Sequence, residues 1–265
     1  MSTPSRPWDA TGYDASFGFV TAYGAPLLDL LGAAPGERVL DLGCGTGHQA
    51  AQLAAAGVRV LGVDGDAAML DRARREHPGV AFAHADAQDE EALRAAAGPV
   101  PYDAVLSNAA MHWMPRQDAV VAGVAAVLRP GGRLVVEMGG VGNVARVTRA
   151  IRAARADVGL DPDVASPWTF PTPGEQASRL ERHGFLVRMV ALVDRTTPLA
   201  DGVGAAGWAA MFGAGLVDDV PAPDRSAFDS AVDRHARSEG LDVRPDGEPG
   251  WWIDYVRLRF HAVRR

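Results

Sequence analysis

Residues 39–47 read VLDLGCGTG, an apolar run that passes directly into a glycine-rich turn. The Ala-rich pattern that follows from His48 predicts a helix. Glycine allows the backbone to adopt positive φ values and allows a ligand to lie close against it. The first turn of a helix adds free N–H groups and the positive end of its dipole. The stretch therefore predicts a strand, a turn and a helix that together hold a ligand.

The spacing of residues around this turn indicates the kind of ligand. Gly47 follows Gly43 by four residues, whereas the dinucleotide fingerprint G-x-G-x-x-G places its third glycine five residues after the first. Asp41, just before the glycines, would repel a pyrophosphate but attract an ammonium group. Asp64, which ends the next apolar run, is placed to accept the hydroxyls of a ribose. These features indicate a nucleoside with an amino-acid end rather than a dinucleotide.

Strand and helix patterns alternate from Glu37 to Glu137, and further elements follow. The predicted strands are Arg38–Leu42, Arg59–Val63, Val80–His84, Tyr102–Ser107, Arg133–Met138, Leu186–Val193 and a last strand around 256–262. The predicted helices are His48–Ala56, Ala67–Glu76, Asp89–Ala97, Gln117–Leu128, Asn143–Val158 and Glu175–His183, with a helical lead over Phe17–Leu31. Nearly continuous apolar strands between helices are typical of a parallel sheet that is covered on both faces.

The last predicted strand differs from the others because its apolar and polar residues alternate. It reads Val256-Arg257-Leu258-Arg259-Phe260-His261-Ala262. This pattern predicts an antiparallel strand that is buried on one face, with Arg257 and Arg259 on the solvated face. The predicted fold class is therefore α/β, with a doubly wound, mostly parallel seven-stranded sheet, an antiparallel last strand and a helical cap inserted before that strand.

The chain is predicted to contain three parts. Residues 1–36 form an N-terminal helical lead or lid, and residues 37–195 together with 251–265 form the ligand-binding α/β core. Residues 196–250, rich in Gly, Pro and Asp, are too long for a hairpin loop. We interpret this segment as a helical cap over the edge of the sheet.

Composition and charge restrict the partners of the chain. Its 265 residues carry a formal net charge of −7, which argues against nucleic acid because a nucleic-acid binder needs a basic face. The histidines and the single cysteine, Cys44, are not spaced as metal ligands, so no metal is expected. The apolar runs are too short for a membrane span and the N-terminus lacks a signal-like pattern, which together predict a cytoplasmic protein without a membrane partner. The oligomeric state is not indicated.

Four separate motifs resemble those of the class I S-adenosylmethionine-dependent methyltransferases. They are the glycine-rich turn, Val63-Asp64, Ala85-Asp86-Ala87 and the Pro-Gly turn within Leu128–Leu134. The resemblance implies S-adenosylmethionine as the cofactor. It implies a cofactor site formed by Asp41, Gly43, Cys44, Gly45, Gly47, Asp64, Gly65, Met69, Asp86, Ala87, Asn108 and Ala109. In that site Asp41 would hold the methionine amino group, Asp64 the ribose and Asp86 the adenine amino group.

The segment after the fourth predicted strand indicates the kind of acceptor. It reads SNAAMHW from Ser107 to Trp113 and lacks the Asn-Pro-Pro-aromatic motif of enzymes that methylate amino groups of nucleic acids. It resembles the methyltransferase type 11 and trans-aconitate methyltransferase subgroup, which implies a small organic acceptor, with O-methylation of a carboxylate or hydroxyl favoured and C-methylation as a further option. Two alternatives stay open: a cofactor-binding protein of this fold that catalyses another reaction such as cyclisation, and a non-catalytic cofactor-binding module.

Aromatic residues outside the predicted core strands are expected to line the acceptor pocket. Trp113 and Trp168, together with Tyr13 and Phe17 of the lead, are the predicted pocket residues. The alternative role for such side chains is to pack the cap onto the core. Arginines near the late strands favour a small acidic or polar acceptor. They are Arg188, Arg195, Arg257 and Arg259.

His112 is the candidate catalytic residue. It lies just past the fourth predicted strand, at the edge where an acceptor must approach the methyl group. Histidine has an ordinary pKa of about 6.5, so it can take up a proton at neutral pH. His112 would act as the base for a hydroxyl or carbon acid, or it would only position the acceptor. Cys44, in contrast, is interpreted as a small residue in a tight turn rather than a nucleophile.

Overall fold

The computed structural model describes residues 25–244 and 246–265 and contains a seven-stranded mixed sheet. Its strands are β1 (Arg38–Leu42), β2 (Arg59–Asp64), β3 (Ala81–His84), β4 (Tyr102–Asn108), β5 (Leu128–Gly139), β6 (Phe185–Pro198) and β7 (Trp252–Arg264). Their order in the sheet is β3-β2-β1-β4-β5-β7-β6. Strands β1 to β5 pair in parallel, and β7 runs antiparallel to both β5 and β6. The predicted fold class is confirmed.

Helices connect the strands and cover the sheet. In the described part of the chain they are α1 (Ala25–Leu31), α2 (His48–Ala55), α3 (Ala67–Glu76), α4 (Glu90–Ala97), α5 (Gln117–Val127), α6 (Ala145–Asp157), α7 (Pro173–Arg182), α8 (Ala205–Phe212) and α9 (Arg225–Ser238). The six helices predicted between and after the strands are confirmed, with ends shifted by one or two residues. Helix α7 begins earlier than predicted because Thr172 and Glu175 form a capping box at its start.

The two faces of the parallel sheet are buried by different helices. Helices α4, α5 and α7 pack on one face, and α1 with α2 packs on the other. Leu27 and Leu31 of α1 are fully buried against strand residues such as Val135. The described part of the predicted lead is therefore a helix packed into the core. Residues 1–24, with Tyr13 and Phe17, lie outside the described residues.

The segment between β6 and β7 folds as a helical cap. It contains α8, a 3-10 turn at Ala222–Asp224 and α9. Its buried side chains form a second apolar core with α6 and the start of β7, as Trp208, Phe228 and Ile253 show. The segment is shorter than the predicted 196–250 because β6 continues to Pro198, which pairs with Trp252. The last strand therefore begins at Trp252, four residues before the predicted start at Val256.

One arginine ties the cap to α6. The Arg155 side chain is only 1% exposed and donates to both carboxylate oxygens of Asp219, at 2.6 and 2.9 Å. It also donates to the backbone carbonyls of Asp161 and Leu216, at 2.6 and 2.7 Å. Arg155 thereby joins α6 to the loop that leads to Trp168 and to the loop that follows α8.

The burial pattern predicted for β7 is wrong at Arg257. Leu258 is buried as predicted, but Arg257 is only 7% exposed, whereas Val256 is partly exposed. The cap explains the difference, because Trp208 of α8 packs on Tyr255 and its Nε1 donates to the tyrosine hydroxyl at 2.8 Å. Arg257 lies two residues after Tyr255 and therefore shares the covered face.

Candidate functional site

Two glycines of the turn between β1 and α2 show why this loop needs residues without side chains. Gly43 and Gly45 have φ values of 72° and 53°, in the region that favours glycine. A Cβ atom on Gly43 would lie 2.2 Å from the Cβ of Ala110. A Cβ on Gly45 would meet no described atom within 4 Å, and this glycine lines a cavity. The turn therefore exposes backbone at Gly45 and packs tightly at Gly43.

Asp64 lies at the end of β2, beside this turn. Its Oδ2 accepts a hydrogen bond from the backbone N–H of Gly45 at 2.8 Å, and its Oδ1 accepts one from Asp66 at 2.8 Å. Burial raises the pKa of the Asp64 carboxyl, although these backbone N–H groups oppose the shift. Each carboxylate oxygen has two lone pairs, so both oxygens keep acceptor capacity. Because Asp64 lines the cavity, this arrangement fits a ligand that presents hydroxyl groups.

Asp41 provides a second test of whether the turn fits the cofactor. Its side chain is buried, and among the described residues its Oδ2 has no hydrogen-bond partner. Burial, followed by the nearby charge of Asp64, raises the pKa of Asp41 to about 7. A positively charged group bound at the turn would offset both effects. The residues present therefore fit a ligand with an ammonium group and a ribose, as S-adenosylmethionine has.

The chemistry of Cys44 agrees with its interpretation as a turn residue. Burial, followed by the charges of Asp41 and Asp64, raises the pKa of the Cys44 thiol far above its ordinary range. The thiolate is the nucleophilic form of cysteine, and this site disfavours it.

One cavity extends from the glycine turn to the cap, and its wall on the cap side is aromatic. The aromatic side chains are Trp113, Trp168, Phe170, Trp208, Phe212 and Tyr255. Trp168 stacks on Phe170 with 5.7 Å between ring centroids, and Trp113 meets Trp168 edge-on at the same distance. Walls of this kind bind apolar groups and exclude water.

The structure brings most of the predicted site residues to this cavity. Those that line it are Gly43, Cys44, Gly45, Asp64, Met69, Asn108, Ala109, His112, Trp113 and Trp168. Five others do not line it: Asp41, Gly47, Gly65, Asp86 and Ala87. Asp86 is exposed, and its Oδ2 lies 3.7 Å from Nη2 of Arg116. Ala87 is buried in the core. The roles implied for all these residues stay predictions.

Unusual backbone conformation is concentrated at the same cavity. In the described part of the chain, two residues other than glycine have positive φ, Ala109 at 56° and Val144 at 52°, and both line the cavity. The N–H of Ala109 donates to the carbonyl of Glu137 at 2.8 Å, which holds the chain as it leaves β4. Strained backbone of this kind tends to cluster at functional sites.

His112 is buried in a 3-10 turn, Met111–Trp113, that follows β4. Its Nδ1 accepts a hydrogen bond from the backbone N–H of Gly139 at 3.3 Å. A neutral imidazole that accepts at Nδ1 carries its proton on Nε2. Burial, followed by the charge of Arg257, holds the pKa of His112 well below 6.5. His112 is therefore a neutral side chain whose Nε2–H is a hydrogen-bond donor.

We expect this buried histidine to make the protein less stable in mild acid. Below a pH of about 6.5 histidine takes up a proton in the unfolded chain, whereas folded His112 resists it. The unfolded state then binds more protons, so the free energy of unfolding falls as the pH drops. Urea unfolding of the parent and of His112→Asn at pH values of about 7.5 and 5.5 measures this contribution.

The substitution His112→Asn should reduce the loss of stability between the two pH values. His84→Asn, at an exposed position, is the control and should leave that loss unchanged. Equal losses in the parent and in His112→Asn would contradict the prediction.

Several cavity residues were not predicted as site residues. They are Thr46, His48, Gln49, Ala110, Met114, Asn143, Val144, Phe170, Trp208, Phe212, Tyr255 and Arg257. Trp208 and Phe212 lie four residues apart on α8, a spacing that places both on one helix face and could have indicated them. Arg257 was named among the arginines that favour an acidic or polar acceptor, but the strand pattern assigned it to a solvated face. No pattern within β7 shows that the cap covers it.

The described residues contain neither a membrane-spanning helix nor a cluster of metal ligands. No helix of the described residues is long and apolar enough to span a membrane. Within residues 25–244 and 246–265, no three His, Cys, Asp or Glu side chains form a group that could hold a metal ion.

Known proteins resemble this chain in sequence and in fold. A family model described as a methyltransferase domain matches residues 39–132. An uncharacterized methyltransferase of Schizosaccharomyces pombe is 31% identical over 267 residues, which cover 98% of both chains. A trans-aconitate 2-methyltransferase of Methylobacterium radiotolerans is 31% identical over 229 residues, which cover 82% of this chain and 81% of that one. The crystal structure of the YcgJ protein of Bacillus subtilis matches with a TM-score of 0.61 at 18% identity, covering 92% of this chain and 98% of that chain.

The sequence match to the Schizosaccharomyces pombe protein extends over nearly the whole of both chains, so it includes the core and the cap as well as the glycine turn. The family, the enzyme class and the cofactor predicted from the sequence motifs are confirmed. The chain belongs to the class I S-adenosylmethionine-dependent methyltransferases.

Proposed function

We propose that this enzyme methylates an oxygen atom of a small organic molecule that binds in the aromatic part of the cavity. The observation that carries the proposal is that one cavity is lined both by the glycine turn and by six aromatic side chains. A cofactor held at the turn and an acceptor held by the aromatic wall would be neighbours in that cavity. The wall would also keep water away from the reacting atoms.

The residues around the turn would hold the cofactor. The buried charge of Asp41, two residues before Gly43, would attract its ammonium group from beside the cavity. Asp64 would accept the ribose hydroxyls, and Gly45 would allow close approach of the backbone. When bound, S-adenosylmethionine supplies a methyl group on a positively charged sulfur, and that sulfur is a good leaving group. The task of the protein is then to align the acceptor oxygen with the methyl carbon and the sulfur. The acceptor oxygen would bond to the methyl carbon, and S-adenosylhomocysteine would be released as the leaving group.

The protonation of His112 favours a carboxylate as the acceptor group. The Gly139 N–H bond to Nδ1 places the proton on Nε2, so His112 would have to lose this bond before it could take up a second proton. It is better suited to donate a hydrogen bond than to act as a base. A carboxylate needs no base, whereas a hydroxyl does. The relative from Methylobacterium radiotolerans is named for an acid acceptor, trans-aconitate.

A panel of small acids, alcohols and phenols with methyl-labelled S-adenosylmethionine tests the proposal. We expect the label to appear as the methyl ester of one class of carboxylic acid, with S-adenosylhomocysteine released in equal amount, because the acceptor oxygen needs no base. Mass spectrometry of the products gives the atom methylated. Label found only in proteins or nucleic acids, or release of the cofactor product without a labelled acceptor, would contradict the proposal.

The variant His112→Gln refines the same assay. If His112 only positions the acceptor, the substitution should lower the single-turnover rate less than about tenfold and leave the pH profile unchanged. Loss of about 100-fold or more, together with loss of a pH step near neutrality, would instead show that His112 acts as a base.

A further inference from the structure

Arg257 carries a positive charge into the acceptor side of the cavity. Its side chain is buried on β7 and lines the cavity together with Tyr255, whose ring centroid lies 4.6 Å from the Arg257 Cζ. Its positive charge affects another residue that lines the cavity, because it contributes, after burial, to the lowered pKa of His112. The guanidinium group therefore lies within electrostatic range of a residue at the carboxyl end of β4, where the acceptor must approach.

The charged side chains divide the cavity into two ends. Of the described residues that line it, Asp64 supplies the carboxylate, beside the glycine turn, and Arg257 supplies the guanidinium, beside the aromatic wall. The first matches the hydroxyls and positive charge of the cofactor. The second has the opposite sign and lies against the ring of Tyr255, in the part of the cavity that has the aromatic wall. The arrangement is therefore complementary to an anionic group on an apolar molecule.

Of the described arginines on the last two strands, Arg257 is the one that lines the cavity. Arg195 and Arg259 both contact the buried carboxylate of Glu137, and neither of them lines the cavity. A guanidinium group has several N–H donors in one plane, and two of them can donate to a single carboxylate oxygen while the other oxygen stays available.

We propose that the acceptor is a hydrophobic monocarboxylic acid whose carboxylate pairs with Arg257. This inference rests on the proposed O-methylation. Among the described residues that line the cavity, one guanidinium group against six aromatic side chains favours a single anionic group on an apolar body over a polyacid. One carboxylate oxygen receives the hydrogen bonds of Arg257, and the other attacks the methyl carbon as the carbon–sulfur bond breaks. No proton moves, and the products are a neutral methyl ester and S-adenosylhomocysteine.

The substrate and the product of this reaction differ in charge, so Arg257 would bind them with different strength. The carboxylate is attracted to Arg257 before the reaction, whereas the ester keeps only its weak carbonyl acceptor. Arg257 therefore favours binding of the substrate over retention of the product. A structural role for Arg257, stacked on Tyr255, would not distinguish an acid from an uncharged molecule of the same shape.

The test compares matched acids and primary amides in the presence of S-adenosylhomocysteine. The probes are benzoate, trans-cinnamate, 3-phenylpropanoate and octanoate, each paired with its amide, and calorimetry measures their affinities. We expect at least one acid to bind about tenfold or more tighter than its amide. Arg257→Met should abolish this preference, and Arg257→Lys should keep part of it because it retains the charge without the planar fork. Arg188→Met, at an exposed position, is the control for net charge and should keep the full preference.

The outcomes separate this inference from the proposed function. Equal binding of every acid and its amide to the parent, failure of every acid to bind, or a preference that survives in Arg257→Met would overturn the role of Arg257. If Arg257→Met does not fold, Arg257→Gln replaces it, with the same expected loss. Selective binding of an acid through Arg257 without transfer of labelled methyl would support the recognition and refute the O-methylation.

Discussion

Replacing Asp64 with Ala is expected to weaken the binding of S-adenosylhomocysteine about 10- to 150-fold, which corresponds to the ~1.5–3 kcal/mol of hydrogen bonds to a charged group. The carboxylate lines the cavity and is the expected acceptor for the ribose hydroxyls. It also receives the backbone N–H groups of Gly45 and Asp66, so its loss frees the turn that the cofactor contacts. Titration calorimetry with S-adenosylhomocysteine measures the effect.

Two other variants separate binding from folding. Asp64→Asn keeps the size of the side chain and one acceptor oxygen, so its affinity should lie between those of the parent and Asp64→Ala. Asp71→Ala, on the exposed surface of α3, removes the same charge and should leave the affinity unchanged. If Asp64→Ala is folded and binds S-adenosylhomocysteine as tightly as the parent, Asp64 does not hold the ribose.

Replacing Arg155 with Met is expected to lower the free energy of unfolding by about 1.5–3 kcal/mol, the range for hydrogen bonds of a charged group. Asp219 is 56% exposed and can be hydrated after the substitution, whereas the buried carbonyl of Leu216 loses its donor. The buried guanidinium joins Asp219 to two backbone carbonyls, and a methionine leaves those acceptors without their donor. The melting temperature should fall by on the order of 5 °C. Differential scanning calorimetry measures the change, provided that unfolding is reversible.

Arg149→Met is the matched control on the same helix. Arg149 also forms a two-oxygen pair with a carboxylate, Glu239, but its side chain is 57% exposed. Exposed pairs contribute about 0–1 kcal/mol, so this variant should melt close to the parent. If both arginine variants lowered the melting temperature equally, burial of Arg155 would not be the source of its effect.

The parallel core could be predicted because its local patterns and its tertiary environment agree. Strands such as β1 are buried on both faces and read as apolar runs. In the turn after β1, the third glycine follows the first by four residues, a spacing that differs from that of the dinucleotide fingerprint. Those signals lie within short stretches of sequence. They gave the strand and helix positions of the core and the cofactor family.

The acceptor end of the cavity could not be predicted in the same way because distant segments form it. Phe170 follows α6, Trp208 lies in the cap, and Arg257 lies on the last strand. The alternation in β7 indicated a solvated face, yet the cap that buries Arg257 is contributed by another part of the chain. The extended β6, which shortens the cap, depends on pairing with the start of β7 and has no strong signal of its own.

The cap leaves and re-enters the sheet at one point. Pro198 pairs with Trp252 across β6 and β7, and the N–H of Leu199 donates to the carbonyl of Trp251 at 2.9 Å. The two ends of the cap, a segment of some fifty residues, are thus held side by side by the hydrogen bonds between β6 and β7. The cap is therefore an insertion between two paired strands. Loop-closure entropy grows only slowly with length, so insertions and deletions between these ends would leave the register of both strands intact. The architecture therefore allows the cap, and with it the acceptor end of the cavity, to change in sequence and length. The glycine turn, which lies far from the cap in the sequence, can stay unchanged.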